Sequence, residues 1–158
     1  MDLDTATSLE AITLRLGLAA LFGMVLGIDR EVRGKSAGLR THMLVALSSA
    51  ATTLVTLEIF EALKATGHDN IDPLRVVQGL AQAIGFICAG VIIQSRGGVH
   101  GLTTAVNIWL CSAIGVAAGA GLYRLAFLAT LFAVVILTGL HFVEKWLFGG
   151  HGGRENDQ

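Results

Sequence analysis

Five apolar runs separated by short polar connections dominate the chain, at residues 11–28, 42–63, 74–95, 102–120 and 122–142. Each run is close to the ~20 residues that a helix needs to cross a ~30 Å hydrocarbon core. Lipid offers the backbone no hydrogen-bond partners, and the runs lack the alternating pattern of a membrane barrel, so helices are the expected form. The pattern predicts an all-α, polytopic membrane protein with a bundle of five transmembrane helices.

The fourth and fifth runs form almost one continuous apolar block. We divide them at Gly119-Ala120-Gly121, because the two glycines supply a turn and the following Tyr123-Arg124 supplies an interfacial anchor. One unbroken helix of roughly 40 residues would be too long for any bilayer.

The cations divide unequally between the two sides of such a bundle. Seven fall on one side, namely Arg30, Arg33, Lys35, Arg40, Arg96, Lys145 and Arg154. Four fall on the other, namely Arg15, Lys64, Arg75 and Arg124. The excess predicts a cytoplasmic C-terminus and an N-terminus outside. The predicted organisation is an extracytoplasmic tail over 1–10, a transmembrane domain over 11–142 and a disordered cytoplasmic tail over 143–158.

Small and polar residues recur at helical spacing inside the runs. Glycines that would let a neighbouring helix approach closely, or support a dimer, are Gly23, Gly27, Gly85, Gly90, Gly115 and Gly119. Polar side chains that could converge on an intramembrane core are Thr52, Gln78, Gln82 and Asn107. Such a core would either hold the helices together by hydrogen bonds or line a hydrated route for a small solute or cation.

Composition narrows the function classes. The chain has 158 residues, of which 53% are hydrophobic and 15% charged, so its excess apolar surface must face lipid. A formal net charge of −1 gives no basic field for nucleic acid. The cysteines lack a CxxC spacing, the histidines lack a paired helical spacing, and no nucleophile elbow, phosphate loop or dinucleotide fingerprint is present. We therefore expect no metal site, no cofactor and no enzymatic activity.

Five blocks in consistent order give the chain a family resemblance. They are Gly27-Ile28-Asp29-Arg30-Glu31, Ala37-Gly38-Leu39-Arg40-Thr41-His42, Asp72-Pro73-Leu74-Arg75, Ile84-Gly85-Phe86-Ile87-Cys88-Ala89-Gly90 and Gly101-Leu102-Thr103-Thr104-Ala105. In these blocks the chain resembles the MgtC/SapB family of bacterial inner-membrane proteins, in the short form that consists of the membrane domain only. The resemblance implies a helical inner-membrane domain and, as in virulence-associated members, a role in survival at low magnesium.

Three functional hypotheses follow. The first is a non-enzymatic membrane protein that serves magnesium or ion homeostasis, or regulates a membrane partner, through a cytoplasmic-face polar site of Asp29, Arg30, Glu31, Arg40, Thr41, His42, Thr103 and Thr104. The alternative is a small-solute or cation transporter, working as a dimer, with Thr52, Gln82 and Asn107 lining one continuous polar cavity. The third is a structural bundle whose small-residue faces form its interface with a partner.

Overall fold

Five α-helices make up the protein in the computed structural model, which describes residues 6–67, 72–93 and 100–148. The helices are α1 (Leu9–Val32), α2 (Leu39–Ala65), α3 (Leu74–Ile93), α4 (Leu102–Gly119) and α5 (Tyr123–Phe148). They confirm the all-helical prediction, one helix for each apolar run. The helix α5 continues past residue 142, where the fifth run was predicted to end. The N-terminal residues 1–5 and the remainder of the predicted tail, 149–158, lie outside the described residues.

Four of these helices are long and apolar enough to cross a membrane, and they identify a multi-pass membrane protein. They are α1, α2, α3 and α4. The described apolar part of α5, Tyr123–Gly139, is shorter than a full span. The fifth crossing therefore stays a prediction, as does the orientation of the termini.

Left-handed glycines end two of the helices in the same way. After α1, Gly34 has φ 61°, its N–H donates to the carbonyl of Glu31, and the N–H of Lys35 donates to that of Arg30. This is the Schellman arrangement, which satisfies the last carbonyls of a helix and favours glycine. After α4, Gly121 has φ 79° and forms the same pair of bonds together with Leu122. The predicted division between the fourth and fifth runs is confirmed by this turn.

Helix α4 occupies the centre of the bundle and packs against each of the other four helices. Eleven of its eighteen residues are buried. Helix α1 packs against α2 and α5 as well as α4, whereas α3, among the described residues, contacts only α4 and α2. Few of the described side chains of the third helix are therefore enclosed, and the buried apolar ones are Ile84 and Cys88.

Glycines bring the backbone of α2 close to α1 on one side and to α4 on the other. A Cβ atom on Gly23 would lie 2.6 Å from the carbonyl oxygen of His42, and one on Gly27 would lie 2.7 Å from the Cα of Leu39. Across α2, a Cβ on Gly119 would lie 2.6 Å from the carbonyl oxygen of Ala50, and Gly115 is equally tight against α2. These four glycines are used inside one chain, so they do not form the dimer face or partner face that their spacing also allowed.

The other two glycines of that set behave differently. A Cβ on Gly85 would make an ordinary contact of 3.5 Å with the ring of Trp109. Nothing described lies within 4 Å of a Cβ on Gly90. Close helix packing at Gly90 is thus absent from the described part of the single chain.

The bundle has two distinguishable ends. The charged end contains the last turn of α1, the α1–α2 connection and the start of α4, which meet at one cavity together with Ile136 and Leu137 of α5. At the opposite end, the guanidinium of Arg15 donates to the carbonyl of Gly119 at 3.1 Å. There the backbone N–H groups of Ala6 and Thr7 also donate to the carboxylate of Glu58 on α2, at 2.7 and 3.0 Å.

Substituting alanine for Gly23 tests the importance of the α1–α2 approach. The new methyl group would press on α2 backbone, which cannot rotate away, so we expect Gly23→Ala to lower the free energy of unfolding by about 1–3 kcal/mol. Gly17→Ala is the matched control in the same helix, because nothing described lies within 4 Å of its Cβ position. It should be neutral or stabilising. Reversible unfolding in detergent measures both, and equal stability of the two variants would contradict the packing role.

Candidate functional site

A partly open cavity of about 730 Å³ lies at the charged end of the bundle. Its walls come from α1, the α1–α2 connection, the start of α4 and the middle of α5. The lining residues are Asp29, Arg30, Arg33, Gly34, Lys35, Ser36, Gly101, Thr103, Thr104, Ile136 and Leu137. The cavity thus combines three cations, one carboxylate and hydroxyl groups with an apolar wall.

Arg30 is the most enclosed charged group of the cavity. It lies in the last turn of α1 and is only 3% exposed. One terminal nitrogen of its guanidinium, Nη2, donates a hydrogen bond to the hydroxyl of Thr104 in the first turn of α4. Its Nε is buried and has no hydrogen-bond partner among the described residues. A buried guanidinium with an unused donor is costly unless an acceptor is supplied.

Asp29 is the single carboxylate among the described residues that line the cavity. Its Oδ1 pairs with Nε of Arg33, one helical turn further along α1, at 2.8 Å. Its Oδ2 is buried and, within the described part of the chain, has no hydrogen-bond donor. Arg33 and Asp29 therefore offset each other in part, which leaves the charges of Arg30 and Lys35 in excess.

The N-terminus of α4 adds to this positive field. Gly101 precedes the helix with φ 83° and has no side chain to cap it. The first N–H groups of a helix have no partner within the helix and carry the positive end of its dipole. The cavity therefore joins this helix start to Arg30, and negative charge would be favoured there.

The predicted cytoplasmic-face residues divide into separate groups. Asp29, Arg30, Thr103 and Thr104 are brought together at the cavity. Glu31 faces elsewhere, and its carboxylate accepts from the backbone N–H of Leu39 at 2.9 Å, at the start of α2. Neither the exposed Arg40 nor the half-buried Thr41 lines the cavity.

His42 is a core residue and lies apart from the cavity. It is fully buried, with Nδ1 2.8 Å from the carbonyl oxygen of Gly38 and Nε2 3.1 Å from Nδ2 of Asn107. Both contacts are satisfied by the neutral tautomer with its proton on Nδ1, which leaves Nε2 to accept from the amide. The thiol of Cys111 also donates to the His42 carbonyl oxygen, at 3.1 Å. His42 and Asn107 therefore join α2 to α4.

The four residues predicted to form an intramembrane polar core do not converge, because Asn107 is separated from the other three. Asn107 is buried against His42, whereas Thr52, Gln78 and Gln82 are exposed on the outside of the single chain. Helical spacing placed each residue on a face but did not identify the helix that the face meets. The three residues Thr52, Gln82 and Asn107 consequently do not line one continuous cavity.

Sequence reasoning missed several cavity residues and one buried pair. Arg33, Lys35 and Ser36 belong to the charged connection, and their position beside the α1-terminating glycine was the available signal. Ile136 and Leu137 gave none, because they sit in a uniformly apolar run. The buried hydroxyls of Ser49 and Ser112 hydrogen-bond at 2.9 Å between α2 and α4, and this pairing was not predicted.

These features define a multi-pass helical membrane protein with a positively charged cavity at one end of its bundle. The chain belongs to the MgtC family, whose family model matches residues 16–146. The family predicted from the five sequence blocks is thereby confirmed.

Three relatives illustrate the similarity. The putative magnesium transporter YhiD of Escherichia coli K12 is 37% identical over 81% of this chain and 60% of its own length. Protein SapB of Bacillus subtilis is 38% identical over 85% of this chain and 58% of its own length. Protein SrpB of Synechococcus elongatus is 36% identical over 86% of this chain and 79% of its own length. The chain thus spans about 60% of the YhiD and SapB proteins. No solved structure matches it.

A double-mutant cycle tests whether His42 and Asn107 act as a buried pair. Asn107→Leu alone leaves Nε2 of His42 without its donor, and we expect a loss of about 1–3 kcal/mol of unfolding free energy. The double variant, which also carries His42→Phe, should lose less unfolding free energy than the two single variants lose together, by about 1 kcal/mol or more.

The control cycle pairs Asn107→Leu with Ser48→Ala, a polar change at an exposed position of α2 whose hydroxyl bonds within its own helix. That pair should be additive within about 0.5 kcal/mol. The same unfolding assay measures both cycles. If the His42 cycle is also additive, His42 and Asn107 are not energetically coupled and the prediction is wrong.

Proposed function

We propose that this protein is a non-enzymatic component of the bacterial inner membrane that acts in magnesium homeostasis, or on a membrane partner, through the Arg30 cavity. The observation that carries the proposal is the buried guanidinium of Arg30, bonded to Thr104 and lacking a partner at Nε. Charged groups buried at membrane depth are expensive and mark functional sites. A buried cation can serve a regulatory binding site, because binding a ligand and passing the signal to another protein require no chemical reaction.

The charges of the cavity favour this role over a route for magnesium. Three cations face one carboxylate, and that carboxylate is already paired with Arg33. Magnesium is held by carboxylates and retained waters, and nearby cations oppose it. The name of the E. coli relative contains the words putative magnesium transporter. For this chain we place the link to magnesium in sensing or regulation.

The distribution of cations supports an orientation for the site. The charged end carries Arg30, Arg33, Lys35 and Arg40, and positive residues accumulate on the cytoplasmic side of membrane proteins. The cavity would then open to the cytoplasm, and the end with Arg15 and Glu58 would face outward.

We further propose that two copies associate through the outer face of α3. Gln78 and Gln82 lie one helical turn apart on this face, both exposed, and neither amide has a hydrogen-bond partner among the described residues. An amide left facing hydrocarbon is unfavourable, so the face needs a polar cover. Each amide is both donor and acceptor, so the same two residues of a second copy satisfy it. On the same face Gly79 has nothing described within 4 Å of its Cβ position, which leaves room for a close approach.

Growth at limiting magnesium tests the cavity's role. In a strain lacking its own copy, Arg30→Gln should fail to restore growth, whereas wild type should restore it. Arg40→Gln is the matched control, since it removes a cation at the same end of the bundle but outside the cavity. Immunoblotting of membranes checks that both variants accumulate. Full restoration by Arg30→Gln at normal abundance would count against the proposal.

Subunit counting in lipid nanodiscs tests the α3 interface. Gln78→Leu combined with Gln82→Leu should shift the protein from two copies to one. Thr52→Val is the control, because Thr52 is exposed but its hydroxyl already donates to the carbonyl of Ser48. It should leave two copies. An unchanged count in the double variant, or a single copy in wild type, would refute self-association through α3.

A further inference from the structure

We infer that the Arg30 cavity binds a phosphate group. This inference rests on the proposed role of the cavity and adds the chemistry of what it binds. The volume of about 730 Å³ lies in the range of small-molecule sites, roughly 300–1,000 Å³. The cavity is therefore large enough for a phosphate together with the group that carries it.

The unused donors of the site match the oxygens of a phosphate. Arg30, Arg33 and Lys35 all line the same space. Guanidinium and ammonium groups form their strongest hydrogen bonds with ionised acceptors such as phosphate. With Asp29 counted against these three cations, the described lining residues still have a formal excess of two positive charges. A neutral ligand would not neutralise that excess positive charge.

The start of α4 supplies a second and independent attraction for an anion. Gly101, Thr103 and Thr104 line the cavity, and the N-cap residue Gly101 has no side chain to cap this helix end. Backbone N–H groups at a helix start are ready donors for phosphate oxygens. Arg30 would repel the positive end of the helix dipole, and an anion between them converts that repulsion into two attractions.

Two kinds of ligand supply such a phosphate. Inorganic phosphate is a soluble anion, and the glycerol phosphate head group of phosphatidylglycerol carries phosphate oxygens on a lipid.

The apolar wall does not separate these two sources. Ile136 and Leu137 of α5 lie beside the polar groups of the cavity. Such apolar side chains fit the acyl chain of a lipid, but they are equally expected in a helix that only packs against its neighbours. The phosphate chemistry is common to a soluble anion and a lipid head group. Two arms of one experiment distinguish them.

The first arm titrates the purified full chain, in a neutral detergent, with inorganic phosphate at constant ionic strength and measures the affinity by calorimetry. The second arm counts the phosphatidylglycerol molecules that remain bound in native mass spectrometry, with phosphatidylcholine as reference. Saturable phosphate binding identifies a soluble source. Retention of phosphatidylglycerol over phosphatidylcholine without phosphate binding identifies a head group.

Matched variants assign any binding to the cavity. Lys35→Gln and Arg33→Gln each remove one lining cation from a position that is not fully buried, and each should weaken binding roughly tenfold. Arg40→Gln removes the same charge outside the cavity and should bind as wild type does. Equal weakening by Arg40→Gln would reduce the effect to net charge and overturn the inference. So would the absence of both phosphate binding and preferential phosphatidylglycerol retention in wild type.

Failure of this inference is distinguishable from failure of the proposed function. If neither probe binds while Arg30→Gln abolishes growth at low magnesium, the cavity is functional but its ligand is not a phosphate. If the cation variants weaken binding while Arg30→Gln grows normally, the phosphate site is real and the proposed role is wrong.

Discussion

The backbone of α2 passes directly against glycine faces of two other helices, and the rest of the structure depends on this double contact. Gly23 and Gly27 of α1 lie on one side, and Gly115 and Gly119 of α4 lie on the other. Lipid removes the hydrophobic drive between helices, so close van der Waals contact and interhelical hydrogen bonds must hold them. A short backbone separation increases the number of such contacts. It also brings the His42 carbonyl within reach of the Cys111 thiol, and Ser49 within reach of Ser112.

The same packing faces explain why Arg30 is buried. Helical positions three and four apart share a face, so Gly23, Gly27 and Arg30 point to the same side of α1. On α4, Thr104, Asn107 and Gly115 share the face that meets its neighbours. Once the glycines have set the approach of the helices, the continuation of both faces to the charged end places Arg30 beside Thr104. The position of Arg30 in the cavity is therefore a consequence of the helix packing.

Much of the fold could be predicted from the sequence, because membrane helices are recognised by the length and hydrophobicity of their apolar runs. The turn at Gly121 was predictable for the same reason, since one helix could not span both runs. The site was predictable only in part. Periodicity showed that Asn107 and Gln82 each belong to a polar face, but the partner of each face depends on tertiary arrangement. Asn107 meets His42, whereas Gln82 is exposed and has no hydrogen-bond partner among the described residues. Similarly, Arg33 and Arg40 belong to the same charged stretch of sequence. Only the structure shows that Arg33, at the end of α1, lines the cavity, whereas Arg40, in α2, does not.

A comparison of the two ends of α4 explains why the charges of the cavity favour an anion. Arg15 and Arg30 both lie on the packing face of α1, one near each end of α4. Arg15 donates to the carbonyl of Gly119, at the negative end of the α4 dipole, where a cation is stabilising. Arg30 contacts Thr104 at the positive end, where a cation is destabilising by the same principle. Packing brings both arginines to α4, and each keeps a buried Nε without a hydrogen-bond partner among the described residues. Only Arg15 meets the end of the α4 dipole that stabilises a cation, so a negatively charged group beside Arg30 would offset the unfavourable contact at the other end.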